Sequence, residues 1–317
     1  MSELAVREAT FIVERGEPEI APDEPLPIAM QRITVDLLGR AISDLRPREQ
    51  APFDPGIHAA RKKMKRLRGI LRLARDQIGR ETYRNANVVL RNTARSLSPV
   101  RDSWVLVETV REIRQRYADL LDEQTFTTTE SWLLDRHHRQ RSLVTGQTIT
   151  SAVANLSTAR RRFAVYPIED VLDDEYASIA PGIGRVYRRG RRGFRRAAAS
   201  RRTADLHEWR KRVKYLRYQM ETLIPMQRML IAAQSSELDT LGEILGDDHD
   251  LAVLEEVLLF HPDACPDGRE RWLLVALIYE NRTLLQAQAT RMGRALYGES
   301  TGAFVSRIGD YWSAARA

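Results

Sequence analysis

One 15-residue segment, His58–Arg72 with the sequence HAARKKMKRLRGILR, constrains the fold more than any other part of the chain. It contains seven Lys or Arg residues and no acidic residue. At about 100° per residue, an α-helix places most of these cations opposite the apolar side chains. The apolar face carries Ile57, Ala60, Met64, Leu67 and Leu71. The segment therefore predicts an amphipathic helix that anchors in a core and presents cations on its other side.

The pattern returns 149 residues later in the segment HEWRKRVKYLR. The first copy holds His58, Arg61, Lys62, Lys65 and Arg68, and the second holds His207, Arg210, Lys211, Lys214 and Arg217. Downstream of each copy, LSPVRDSWVL and LGDDHDLAVL repeat at an offset of 148 residues. A merely solvated face has no reason to keep one register of His, Arg and Lys. The repeat therefore predicts an internal duplication whose two copies bind a common ligand.

The rest of the chain has the 3.6-residue period of helices and no segment with the alternation of a strand, which predicts an all-α protein. In the basic helix, Asp54 is the expected N-cap and Pro55 the first helical residue. We expect helices at about 28–45, 54–79, 81–97, 101–120, 128–145, 181–199, 203–223, 227–245, 249–260, 268–297 and 303–314. Residues 1–27, rich in Pro and acidic residues, are expected to form a flexible arm.

Positive charge is concentrated in two segments rather than spread along the chain. From Arg185 to Arg217 there are 14 basic residues and two acidic ones. Together with His58–Arg72 this leaves the remainder of the chain acidic, although the whole has a net charge of +7. Such a distribution favours one localised anionic ligand over general adhesion to nucleic acid. Besides the two repeats, we expect Arg72, Arg188, Arg189 and Arg192 to contribute to the binding site.

The duplicated pattern HxxRxxxKxLR, with Asp102 and Asp250 further along, resembles the CHAD domain, the conserved histidine α-helical domain. The resemblance covers about residue 28 to the C-terminus. It implies two pseudo-symmetric helical bundles, here about 28–165 and 178–317, whose basic helices line a central groove that binds inorganic polyphosphate. Two departures make the halves unequal: Arg101 stands where the second half has His249, and Tyr215 stands where the first half has Arg66.

Two other functions are alternatives to polyphosphate binding. The residues His207, His249 and Asp250 are of the types that hold a divalent ion in HD-type phosphohydrolases. However, the first half has Arg101 at the position of His249, and guanidinium is not a metal ligand. A nucleic-acid binder would need aromatic and amide side chains among its cations, and only Tyr215 and Tyr218 qualify. Both alternatives are therefore less favoured, the hydrolase more so than the nucleic-acid binder.

Other features predict little chemistry. No GxxxxGK[ST], GxSxG or CxxC motif is present, so we expect no enzyme activity, no cofactor and no metal. The single Cys265 lacks a partner for an internal disulfide, and the adjacent His137 and His138 are expected at the surface. The sequence has no apolar run of 18 residues and no leader sequence, so we expect no membrane association and a cytoplasmic location. If the ligand is polyphosphate, we expect association with polyphosphate granules.

Overall fold

The computed structural model describes residues 18–46 and 53–317, with the backbone alone at Phe53 and Asp54. Its described residues form helices and turns without a strand, as the sequence predicts. The helices are α1 (Leu26–Leu45), α2 (Phe53–Ile70), α3 (Arg80–Ser96), α4 (Ser98–Arg116), α5 (Thr127–Ser142), α6 (Gly146–Ala164), α7 (Tyr176–Ser200), α8 (Thr203–Leu223), α9 (Arg228–Phe260), α10 (Gly268–Leu296) and α11 (Thr301–Ala315).

The apolar faces of the two basic helices are buried as predicted. On α2, Ala60, Met64 and Leu67 are each at most 1% exposed, and on α8 Trp209 and Val213 are equally buried. Burial of a Leu- or Met-sized side chain stabilises the fold by roughly 1.5–3 kcal/mol. This burial fixes the rotation of both helices, so that their cationic faces point away from the core.

Two apolar clusters support the helices. The larger one joins α1, α2, α3, α6, α7, α8 and α11 with the first half of α9. The smaller one joins α4, α5 and α10 with the second half of α9. Helix α9, which has 33 residues, therefore connects both clusters and carries the segment around His249 between them.

Several predicted helix boundaries are wrong. Helix α2 ends at Ile70 rather than near Gly79. Just after this end, the backbone of α7 at Gly182 packs directly against the carbonyls of Arg72 and Leu73. Gly79 has a φ of 81°, which ends the connecting turns in a conformation that favours glycine. The described part of α2 begins at Phe53, so Asp54 lies within the helix and is not its N-cap.

Helix α9 is continuous where two helices were predicted. It continues through Gly246, where the guanidinium of Arg210 packs in the space that a β-carbon would occupy. The next residues are held by α10, since Asp248 accepts hydrogen bonds from Arg282 and Gln286. Helix α6 was missed altogether because its buried face is small and spaced by Thr and Ser residues.

The N-terminal arm was predicted too long. Residues 1–17 lie outside the described residues, but the chain from residue 18 onward packs against the body. Ile20 is fully buried, and its amide donates to the carbonyl of Thr222 at 2.9 Å. Arg32 pairs with Glu24 at 2.7 Å and so ties this segment to α1. The segment is therefore stabilised by a backbone hydrogen bond, apolar burial and an ion pair.

His137 is buried rather than at the surface, and this prediction was wrong. Its Nδ1 lies 3.0 Å from the hydroxyl of Ser103, and its ring lies 5.2 Å from that of Trp104. His138 is exposed as expected. Within the described residues, no helix is long and apolar enough to cross a membrane.

Candidate anion-binding groove

Four helices, α2, α4, α8 and α9, surround a cavity of about 610 Å³. The two basic helices pack against each other near Gly69, whose backbone is in close contact with Tyr218. Beyond this contact their cationic faces turn toward one shared space. We call this cavity the groove, and its charged and aromatic lining is His58, Arg61, Lys62, Lys65, Arg101, Asp102, His207, Arg210, Lys214, Arg217, Tyr218, Asp239, Glu243, His249 and Asp250.

The groove brings together residues from both sequence repeats. The residues that the sequence predicted and that line it are His58, Arg61, Lys62, Lys65, His207, Arg210, Lys214 and Arg217. The predicted residues that do not line it are Arg68, Arg72, Arg188, Arg189, Arg192 and Lys211. The repeated positions therefore predicted most of the basic residues that line the groove, whereas the additional arginines expected from α7 lie outside it.

The residues outside the groove are held by other partners or lie on another helix. Arg68 donates to Asn87 Oδ1 at 3.0 Å, and Arg72 stacks on Tyr215 with 3.9 Å between guanidinium carbon and ring centroid. Lys211 pairs with Glu208 at 2.5 Å. Helix α7 packs on α8, but none of its arginines lines the cavity. The sequence alone does not reveal which face of α8 this helix covers.

On the α2 side, the side chains hold one another in place. Arg61 is only 7% exposed, and its guanidinium donates to the carbonyl of Ala94 at 2.7 Å and to Asp102 at 3.4 Å. Arg101 Nε donates to His58 Nδ1 at 3.2 Å. That bond requires a lone pair on Nδ1, so His58 is neutral, and burial together with Arg101 lowers its pKa.

On the α8 side, several polar atoms lack partners. The rings of His207 and His249 lie 4.3 Å apart, and neither Nδ1 has a hydrogen-bond partner among the described residues. Nε of Arg210 is equally unpartnered there, close to the backbone of Gly246. Buried polar atoms without partners cost stability, and a bound anion would supply the missing acceptors for Arg210.

Two of the three lysines that line the groove have lowered pKa values. Burial, with Arg210 and Lys65 nearby, lowers the pKa of Lys214 to about 7. Lys65 keeps contact with solvent, but the surrounding protein together with Arg61 and Arg210 lowers its pKa to about 8. Each shift arises mainly from desolvation and secondarily from like charges, so the surroundings of both lysines oppose their protonation.

The acidic residues of the groove are unevenly distributed. Asp102 lies inside α4 and pairs with Arg61, so it acts as a partner of a cation and not as a helix cap. Asp250 lies inside α9, where burial raises its pKa and Arg210 opposes this rise. Arg217 is already paired with Glu221 at 2.6 Å and with Asp239. Its charge is therefore less available to a ligand than that of Arg210.

Metal binding finds little support in the residues present. Across residues 18–46 and 53–317, no three His, Cys, Asp or Glu side chains come together in a way that could hold a metal ion. His207 and His249 have Arg210 and Lys211 as neighbours, and burial with these charges lowers the pKa of His249 to about 4. The neighbouring cations would repel a divalent ion from this pair.

The site list drawn from the sequence omitted residues that the structure adds. Arg101 and His249 carried a signal, because they occupy equivalent positions of the 148-residue repeat. They were noted only as a difference between the halves. Tyr218, Asp239 and Glu243 also line the groove. The repeat did not mark these three. Tyr218 was considered only as an aromatic residue for nucleic acid, and the places of Asp239 and Glu243 depend on how α9 packs against α8.

Comparison with known proteins agrees with the all-α fold and shows the family. The family model of the CHAD domain matches residues 36–259. Among solved structures, the crystal structure of the CHAD domain from the plant Ricinus communis is similar over 94% of this chain and 93% of that chain. The TM-score is 0.50 and the sequence identity 18%, so this likeness concerns the fold alone. No curated protein matches the sequence. Because the family model covers most of the chain, this protein belongs to the CHAD domain family.

Proposed function

We propose that the protein binds inorganic polyphosphate in the groove and does not cleave it. The observation that carries the proposal is the meeting of cations from both repeats in one cavity. Lys65 and Lys214 are close enough for each to be affected by Arg210. Polyphosphate offers closely spaced negative charges along a flexible chain, and a row of Lys and Arg residues can neutralise several at once.

The contacting residues we propose are those of the two repeats that line the groove, without Arg217, which two carboxylates already engage. They are His58, Arg61, Lys62, Lys65, His207, Arg210 and Lys214. Arg61 is held by Ala94 and Asp102 and acts mainly to fix the shape of the α2 side. We further propose that the two copies arose by duplication, with halves of about 28–165 and 178–317, so that each half supplies one basic helix.

Nucleic acid fits the groove less well than polyphosphate. Tyr218 is the only non-histidine aromatic residue among those that line the cavity, and it is 4% exposed. Bases therefore have little to stack on, whereas phosphates have many donors. Polyphosphate binding would be consistent with a cytoplasmic protein located at polyphosphate granules.

The test is a titration of the purified protein with long-chain polyphosphate, triphosphate, single-stranded DNA and RNA at one fixed salt concentration. We expect the tightest binding to long-chain polyphosphate, and an affinity that falls steeply with salt because counterions are released. Equal or tighter binding of nucleic acid would overturn the assignment.

A second experiment tests for hydrolysis. Incubation of the protein with magnesium, manganese or zinc should leave polyphosphate intact. Phosphate release that is lost in His249→Ala would instead support a hydrolase.

A further inference from the structure

A second cationic surface lies outside the groove. It brings together the turn after α2, the start of α3, and the facing parts of α7 and α8. We call it the Arg–Tyr patch, and it consists of Arg72, Arg75, Tyr83, Arg189, Arg212 and Tyr215. None of these residues lines the groove. Arg72 and Arg189 were expected in the groove from the sequence, so the structure separates part of the predicted charge into another location.

Two tyrosine rings organise the arginines of the patch. The guanidinium of Arg72 lies 3.9 Å from the ring centroid of Tyr215, and that of Arg75 lies 5.2 Å from the ring of Tyr83. Arg212 approaches the ring of Tyr215 at 6.0 Å. A cation over an aromatic face is attracted to the ring but keeps its full charge. The rings therefore position the cations without neutralising them.

Among the arginines of the patch, only Arg212 has an ion pair with a described carboxylate, Glu208. Arg75 and Arg189 have no ion pair with any described carboxylate. The nearby Asp76 is engaged by Arg185, and Glu208 is shared between Arg212 and Lys211. Burial, followed by repulsion from Arg212, Arg75 and Arg185, lowers the pKa of Arg189. Such a cluster of like charges is unfavourable in the free protein, and a bound anion would relieve the repulsion.

The patch fits a chain of phosphates better than a base-containing ligand. Both tyrosine rings already have guanidinium groups against them, so a nucleobase would have to compete for those faces. Arg75 and Arg189, by contrast, have guanidinium groups that no described carboxylate engages. We propose that the Arg–Tyr patch is a second binding surface for phosphate chains, separate from the groove. This inference rests on the proposed function. The phosphates would come from the free part of the chain held in the groove or from a second chain.

The experiment compares two double variants that change the net charge equally. Arg75→Glu with Arg189→Glu removes the patch, and Arg139→Glu with Arg195→Glu changes two exposed arginines elsewhere. Long-chain polyphosphate, triphosphate and single-stranded DNA are titrated into each variant and into the wild type, and circular dichroism confirms folding. We expect the patch variant to bind long chains roughly tenfold more weakly than the control variant, because a second contact on one chain adds to affinity. Triphosphate, which is too short to use both surfaces, should bind the two variants equally.

Stoichiometry identifies the source of the phosphates. One long chain per protein supports a single chain that spans both surfaces, and two chains per protein support a separate ligand on the patch. Equal long-chain affinities of the patch and control variants, with tight binding by the wild type, would overturn the second surface and leave the groove intact. A wild type that binds no polyphosphate would overturn both proposals. A patch variant that loses only single-stranded DNA would overturn the choice of ligand.

Discussion

The two sides of the groove carry similar residues but differ in how these are held. On the α2 side, Arg61 is bound by Ala94 and Asp102, and His58 accepts from Arg101. On the α8 side, the rings of His207 and His249 lie 4.3 Å apart and are tilted against each other, and Arg210 Nε has no described partner. The α2 side is thus organised before a ligand arrives, whereas the α8 side has most to gain from one. We infer that the α2 side sets the shape and the α8 side supplies most of the affinity.

The largest effects should come from two single substitutions, each of which reverses one charge on one side of the groove. Lys214→Glu should weaken long-chain polyphosphate binding by roughly 100-fold, since one attraction is lost and one repulsion is gained between close charges. Lys65→Glu should weaken it less, because Lys65 is more open to solvent. Isothermal titration measures both, and triphosphate should lose affinity mainly in Lys214→Glu.

A control on the same helix is available for this comparison. Lys211 follows His207 by one turn but lies outside the groove and pairs with Glu208. Lys211→Glu should therefore cost much less affinity than Lys214→Glu despite the same change in net charge. A loss as large as that of Lys214→Glu would show that overall charge, and not the groove, determines binding.

An intermediate effect is expected from exchanging the residues that distinguish the two sides. Arg101→His should remove a permanent cation and the hydrogen bond to His58, and should weaken binding by roughly tenfold. His249→Arg should place a cation beside Arg210 and strengthen binding at low salt. Titration at two salt concentrations checks both variants. Unchanged affinity in both would mean that the difference between the sides has no role in binding.

The sequence predicted the residues of the groove better than those of the Arg–Tyr patch. The burial of Met64 and Val213 follows directly from apolar spacing, and this fixed which cations face the groove. The pairing of Asp102 with a basic residue was foreseeable only as an alternative to helix capping. The placement of Arg189 outside the groove was not foreseeable, because it depends on how α7 packs on α8. That packing involves close glycine contacts, which no helical period encodes.

The smallest effect is a dependence on pH, and its sign follows from the lowered lysine pKa values. In the free protein the pKa of Lys214 is about 7 and that of Lys65 about 8. A bound polyanion favours the protonated lysines and raises both values. The contribution of these lysines to the affinity should therefore rise as the pH falls from 9 toward 7 and level off below 7, with net proton uptake at pH 8.

Titration in buffers of different ionisation enthalpy counts the protons taken up on binding. In Lys214→Arg the side chain stays charged over this whole range, so proton uptake should decrease while binding persists. Proton release on binding, or uptake that is unaffected by Lys214→Arg, would show that this lysine is not the titrating group.

The central claim is that both basic helices hold one ligand in one groove. The most direct measurement is the titration of long-chain polyphosphate into the wild type, Lys65→Glu, Lys214→Glu and the double variant at a single salt concentration. The shared groove predicts that either single substitution weakens binding of the whole chain, and that the double variant loses it. Two independent groove sites, with full affinity retained at the unmutated helix in each single variant, would contradict the account.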